Sequence, residues 1–224
     1  MFFDPLYFVI VGPFLFLAMW ASWRVRSTFT RFSSVGVRTG MTGAQAAAAV
    51  ARAGGAEVTV ERHQGFLSDH YDPRSKTLRL SPEVHDGRSI SAIAVAAHEA
   101  GHSIQDVKGY AWLGLRTKLV PICSIGSNAW MWIFLAGLIF QAPMLVNIGI
   151  LLFAVVVVFQ LVTLPVEFDA SNRAKLVLAQ SGIVATEEEK AGVSRVLGAA
   201  AMTYVAAALT SIATLVFLLL RRRD

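Results

Sequence analysis

Between Leu119 and Leu164 the chain carries no charged residue. At about 1.5 Å of rise per helical residue, such a stretch crosses a hydrocarbon core about twice. The break falls at Gln141-Ala142-Pro143, with Asn147 close by, and reads as the turn of a helical hairpin with spans near 119–140 and 144–164. The rest of the chain fits the same setting: 55% of residues are hydrophobic, 16% are charged, and mean hydropathy is positive. A soluble domain could not solvate that surface. We therefore expect a mainly α-helical integral membrane protein.

Two more segments are long and apolar. Pro5–Trp23 has no charged residue, although Pro13 interrupts it and can kink a helix. No Lys or Arg precedes it, so it is not a typical secretory signal. Arg24, Arg26 and Arg31 follow it, and Trp20 and Trp23 suit the interface. The positive-inside rule then makes it an anchor with its N-terminus outside. The hairpin turn has no Lys or Arg, as expected of an outside loop, so both hairpin ends return to the cytoplasm. Val196–Leu220 is charge-free and ends at Arg221-Arg222-Arg223. A fourth span would place those arginines outside, against the trend. Either the thirteen Lys and Arg of residues 24–118 set the orientation, or the last helix does not fully cross. The first reading is preferred, giving about four spans in a multi-pass protein of the cell membrane.

Composition excludes several classes. The net charge is +5, but no basic run is interleaved with aromatics, so basic flanks of membrane spans are expected and no nucleic-acid partner. The single cysteine, Cys123, rules out an intrachain disulfide and a Cys-rich zinc site, and reads as a small packing residue. There is no internal repeat and no Gly-rich phosphate loop.

The polar region 24–118 holds the chemistry. Thr42 caps a short helix that stops at Gly54-Gly55. Ala56–Arg62 and Lys76–Ser81 alternate as strands, and His70–Ser75 between them is turn chemistry. Ser89 or Ser91 then caps an alanine-rich helix that carries His98-Glu99-Ala100-Gly101-His102. Histidines at i and i+4 share one helix face and can hold one zinc ion, with the glutamate between them as general base on a zinc-bound water. The small sheet before this helix either binds substrate backbone by strand addition or merely covers the helix.

A catalytic zinc needs a third protein ligand. His63, His70 and His85 are available. Glu167 is better placed, because hairpin geometry returns residue 167 beside residue 118, on the same membrane face as His98. The alternative for Glu167 is a charge that complements a helix dipole. Further on, Thr186-Glu187-Glu188-Glu189 has the form of a capping box, so Glu187–Glu189 read as a solvated helix start and not as ligands.

Three stretches together carry a resemblance: Asp69-His-Tyr-Asp-Pro-Arg-Ser-Lys-Thr-Leu-Arg-Leu-Ser-Pro-Glu-Val, Ala96-Ala-His-Glu-Ala-Gly-His-Ser-Ile-Gln, and Leu164-Pro-Val-Glu-Phe-Asp-Ala-Ser. The chain resembles the YugP-type neutral zinc metallopeptidases of bacterial membranes over most of its length. It is more distantly similar to HtpX-like and CAAX-prenyl-type membrane proteases, in which a later Glu-Phe-x-Ala-Asp supplies the third ligand. Glu167 matches that glutamate. The aspartate four residues on, a partner of a ligand histidine in those relatives, is Ser171 here, and an aspartate stands at Asp169 instead. Asp169 and Asn172 are the candidates to replace it.

The resulting expectation is a zinc-dependent metallo-endopeptidase with its active site at the cytoplasmic membrane face. Its domains would be an anchor (1–23), an α+β zincin-like region with a short β-sheet (24–118), a transmembrane hairpin (119–165), cytoplasmic helices with the third ligand (166–195) and a last transmembrane helix (196–224). His98, His102 and Glu167 bind Zn2+, and Glu99 is the base. Such sites usually have a second oxyanion donor. Tyr204 is the candidate, against an ordinary aromatic of the span. Substrates would be peptides or proteins associated with the bilayer. A scaffold with a structural metal is the main rival, and Glu99 argues against it, since a structural site needs no base. A metal transporter ranks last, because its spans should carry ionisable residues.

Overall fold

Helix α5, Ile90–Val107, is the pillar of the fold in a computed structural model, which describes residues 4–65 and 68–222. Ser89 is its cap, its side chain accepting from the Ala92 amide at 3.2 Å. Ser91 instead donates to the Phe29 carbonyl at 2.8 Å and pins α5 to α2, Gly12–Ser33. Small alanine side chains let neighbours approach on nearly every side, so Ile93, Ala94, Ala96, Ala97 and Ala100 are wholly buried.

Around it lie α3 (Gly43–Ala53), the one-turn α4 (Pro82–His85), and a three-stranded sheet of β1 (Thr59–Arg62), β2 (His70–Asp72) and β3 (Thr77–Leu80). Thr42 and Gln45 close a capping box on α3. The strand order is β1-β3-β2, with β1 parallel and β2 antiparallel to β3. Leu78 and Leu80 of β3 are fully buried, as the alternating pattern requires. The stretch read as turn chemistry is divided in two. His70–Asp72 pairs as an edge strand, and the turn proper follows, with Lys76 at φ 51°. Asp72 closes it by accepting from the Arg74 amide and the Ser75 hydroxyl, each at 2.9 Å.

Among the described residues, three helices are long and apolar enough to cross a membrane: α6 (Ala111–Ile139), α7 (Pro143–Gln180) and α8 (Glu187–Arg221). The α6–α7 turn falls at the expected place, with Gln141 at φ 50° and Pro143 opening α7. Gly149 fits against Phe134, where any Cβ would come within 2.8 Å of that side chain. Cys123 is buried in α6.

Three boundaries differ from the sequence reading. The anchor is divided at Val11 into α1 (Pro5–Ile10) and α2, two residues before Pro13, which sits in the first turn of α2 and has no N–H to give to Val9. Helix α7 runs through Pro165 without a stop, so 165/166 is not a helix end. Helix α8 likewise runs through 195/196 as one rod. In both cases packing continues across the polar transition, and the helix follows the packing rather than the change of composition. Thr186 caps α8 as expected, but Glu189 is buried. Its carboxylate accepts from the amides of Arg38, Ala185 and Thr186. Arg221 reaches Asp4 at 3.3 Å, so the ends of α1 and α8 meet. Arg223 lies outside the described residues.

Candidate metal centre

His98 and His102 lie one turn apart on α5 and face α7 with rings 4.8 Å apart. Glu167 comes from α7 with its side chain only 3% exposed. Its Oε2 lies 3.1 Å from His98 Nε2 and 3.7 Å from His102 Nε2. One donor atom from each of the three falls within 4.8 Å of the others, the arrangement a single cation needs.

Close approach of α5 and α7 depends on Gly101. A Cβ there would stand 2.4 Å from the Ala170 carbonyl oxygen, which is backbone and cannot swing aside. Gly101→Ala is expected to cost about 1–3 kcal/mol, the usual range for overpacking, and to move Glu167 away from the histidines. Thermal unfolding in detergent would read it, and an unchanged midpoint would refute the contact.

The remaining hydrogen bonds settle how the histidines present themselves. Gln105 is fully buried, and its Nε2 donates to the Val166 carbonyl at 2.7 Å and to Asp169 Oδ2 at 2.8 Å. Two acceptors around one amide nitrogen fix the amide's orientation. Its Oε1 therefore faces His102 Nδ1, at 3.0 Å, and accepts a proton from it. In the neutral ring this leaves the lone pair on Nε2, the side nearest Glu167, which is the tautomer a metal ligand requires. His98 Nδ1 lies 3.1 Å from Ser171 Oγ, which leaves its Nε2 on the same cluster. Burial opposes a charge on His102, yet the neighbouring carboxylates of Glu167 and Glu99 outweigh it and raise its pKa. The bare cluster thus draws a proton toward the place a cation would neutralise, as metal sites do. The donor set, the tautomer and the charge all fit zinc.

Ser171 itself occupies the position behind His98 that the resemblance assigns to an aspartate. Asp169 acts behind Gln105 and is paired with Arg173 Nε at 2.5 Å. Asn172 makes neither contact among the described residues. Gln105 and Arg116 were missed from sequence. Gln105 had a signal, being one turn beyond His102 on the same face. Arg116 had none, since its contact with Glu167 crosses from one helix to another.

Glu99 is buried beside the cluster, and burial raises its pKa above the ordinary carboxylate value. It lines two cavities. One, of about 250 Å³, includes Phe29, Val95 and Tyr204. The other, of about 540 Å³, includes His102, Glu167, Arg116 and Tyr204 along with β2. Tyr204 thus stands in both, within reach of the cluster. Asp69 also lines both, but its carboxylate is committed to Ser81, accepting from the amide at 2.7 Å and the hydroxyl at 3.1 Å. Of the other histidines, His63 and His70 stack edge to face at 5.4 Å, and His85 pairs with Asp86. None joins the cluster.

A helical scaffold with apolar spans, a buried His-His-Glu cluster and an adjacent buried glutamate defines the class of membrane proteins with a candidate metal centre. The chain belongs to the family described as "Putative neutral zinc metallopeptidase", whose model matches residues 7–223. It is 45% identical over 212 residues to the "Putative membrane protease YugP" of Bacillus subtilis (strain 168), covering 93% of this chain and 94% of that protein. No solved structure matches.

Proposed function

We propose that the chain is a zinc-dependent endopeptidase of the cell membrane, with four spans and its active site facing the cytoplasm. The observation that carries this reading is the convergence of His98, His102 and Glu167 from two helices on one point, with Glu99 buried beside them. His98, His102 and Glu167 hold the metal. Bound zinc would supply a Lewis acid that acidifies water and polarises the scissile carbonyl. Glu99 takes the proton of the attacking water and returns it to the leaving amine. Tyr204 is the candidate donor to the developing oxyanion.

β2 supports a mode of substrate binding. It is an edge strand of the sheet, and His70, Tyr71 and Asp72 all line the larger cavity. An extended peptide added there would run past Glu99. The same cavity follows α6 from Leu113 to Ser124, into the charge-free stretch, which favours membrane-associated substrates. The thirteen basic residues of 24–118 support the cytoplasmic orientation, and the meeting of Asp4 with Arg221 supports a fourth crossing that brings both chain ends to one side.

The test is chelator-reversible cleavage of a membrane-anchored peptide by purified protein in detergent. Zinc bound with no cleavage of any substrate would favour the scaffold reading. A pH profile adds a second check. The base must be ionised, and burial pushes its carboxyl above the ordinary value, so kcat/KM should rise with pH along an acidic limb that belongs to Glu99. An acidic limb left unchanged in the residual activity of Glu99→Gln would remove Glu99 from the role.

A further inference from the structure

Arg116 stands in the second turn of α6, and its Nη1 lies 3.1 Å from Glu167 Oε1. The other carboxylate oxygen, Oε2, faces the two histidines. The two oxygens of one buried carboxylate therefore have different partners. Tyr204 also reaches this carboxylate but brings no charge. Without the guanidinium on Oε1, Glu167 could rotate or offer both oxygens to a cation. A planar, permanently charged guanidinium on Oε1 opposes both movements and leaves Oε2 as the donor aimed at His98 and His102. The contact also crosses between elements, since α6 supplies the arginine, α7 the glutamate and α5 the histidines.

We propose that Arg116 is the positioning residue of this centre, holding Glu167 as a one-oxygen ligand and coupling the apolar hairpin to the site. This rests on the reading that His98, His102 and Glu167 hold a metal. A bare positive charge makes the opposite prediction: beside a cation site it repels the cation, so its removal would tighten binding. The sign of the change in metal affinity therefore separates positioning from mere proximity.

The experiment uses the full chain in detergent, stripped of metal and titrated with Zn2+ against a chromophoric chelator, and with Co2+ for its visible spectrum. Arg116→Met keeps the apolar stem and removes the fork. It is expected to weaken Zn2+ binding by about 10–100-fold, the range seen when a partner orienting a ligand is lost, and to change the Co2+ bands as Glu167 turns. Arg116→Lys keeps the charge with one point of contact and should recover only part of the affinity. On a Glu167→Gln background, Arg116→Met should produce no further weakening, because both changes act through one carboxylate. Unchanged or tighter Zn2+ binding by Arg116→Met, with Glu167→Gln losing the metal, would overturn the positioning role alone. Wild-type binding by Glu167→Gln would instead overturn the metal-centre reading, and the role of Arg116 with it.

Discussion

Glu99→Gln protein is expected to lose about 10²–10⁴-fold in peptide hydrolysis, the usual worth of a positioned general base, while still binding zinc. The two effects separate because Glu99 is not one of the three converging donors. Glutamine nearly matches glutamate in volume, so the packing around this buried position against Val95 and Asp69 should survive. The amide cannot accept a proton from water, and the reaction loses its base. The measurement is kcat/KM on a membrane-anchored peptide, with zinc content determined on the same sample. Cleavage at the wild-type rate would mean that another group is the base, and Asp69, the other carboxylate lining both cavities, would be the next to test. Loss of zinc together with activity would mean that Glu99 holds the metal or the fold.

Glu167→Ala should be the second large effect. Two histidines on one turn of α5 would remain, with no donor from α7, and a cation held by two neutral imidazoles is weakly bound. The loss of affinity should exceed the 10–100-fold or so that follows loss of an outer partner. Truncation also leaves the Arg116 guanidinium facing the cavity without its carboxylate, a further destabilising charge. Zinc stoichiometry after dialysis against a weak chelator reads the outcome. Unchanged metal content would redirect the assignment to His70, which lines the larger cavity. It would also leave the closeness of Glu167 to His98 without a role.

The pairing of His98 with His102 was legible because it is local. Helix period alone puts i and i+4 on one face, and the run of alanines before them says that the helix is a core element. The hairpin was legible for a similar reason, since a charge-free run interrupted once has few ways to fold. β2 was not legible as a strand. His70–Asp72 has no alternation and owes its extended form to pairing with β3, which lies beyond the turn. Glu189 looked like a solvated cap because Thr186 and Glu189 explain each other locally. Its burial comes from the Arg38 amide, which the fold delivers from 151 positions away.

By itself, then, the sequence determined the apolar segments long enough to span, the face of α5 that carries His98 and His102, and a glutamate beyond the charge-free stretch as the candidate partner for that face. Each follows from periodicity or chain length, which act over neighbouring residues. Tertiary structure decided how these side chains are held from the other helices. It put Ser171 behind His98, set Asp169 behind Gln105, and set Arg116 on the far oxygen of Glu167. The three contacts to Ser171, Asp169 and Arg116 join different helices, so their strength depends on how closely α5, α6 and α7 approach. That distance is set by packing at residues such as Gly101, where the smallest side chain lets two backbones meet.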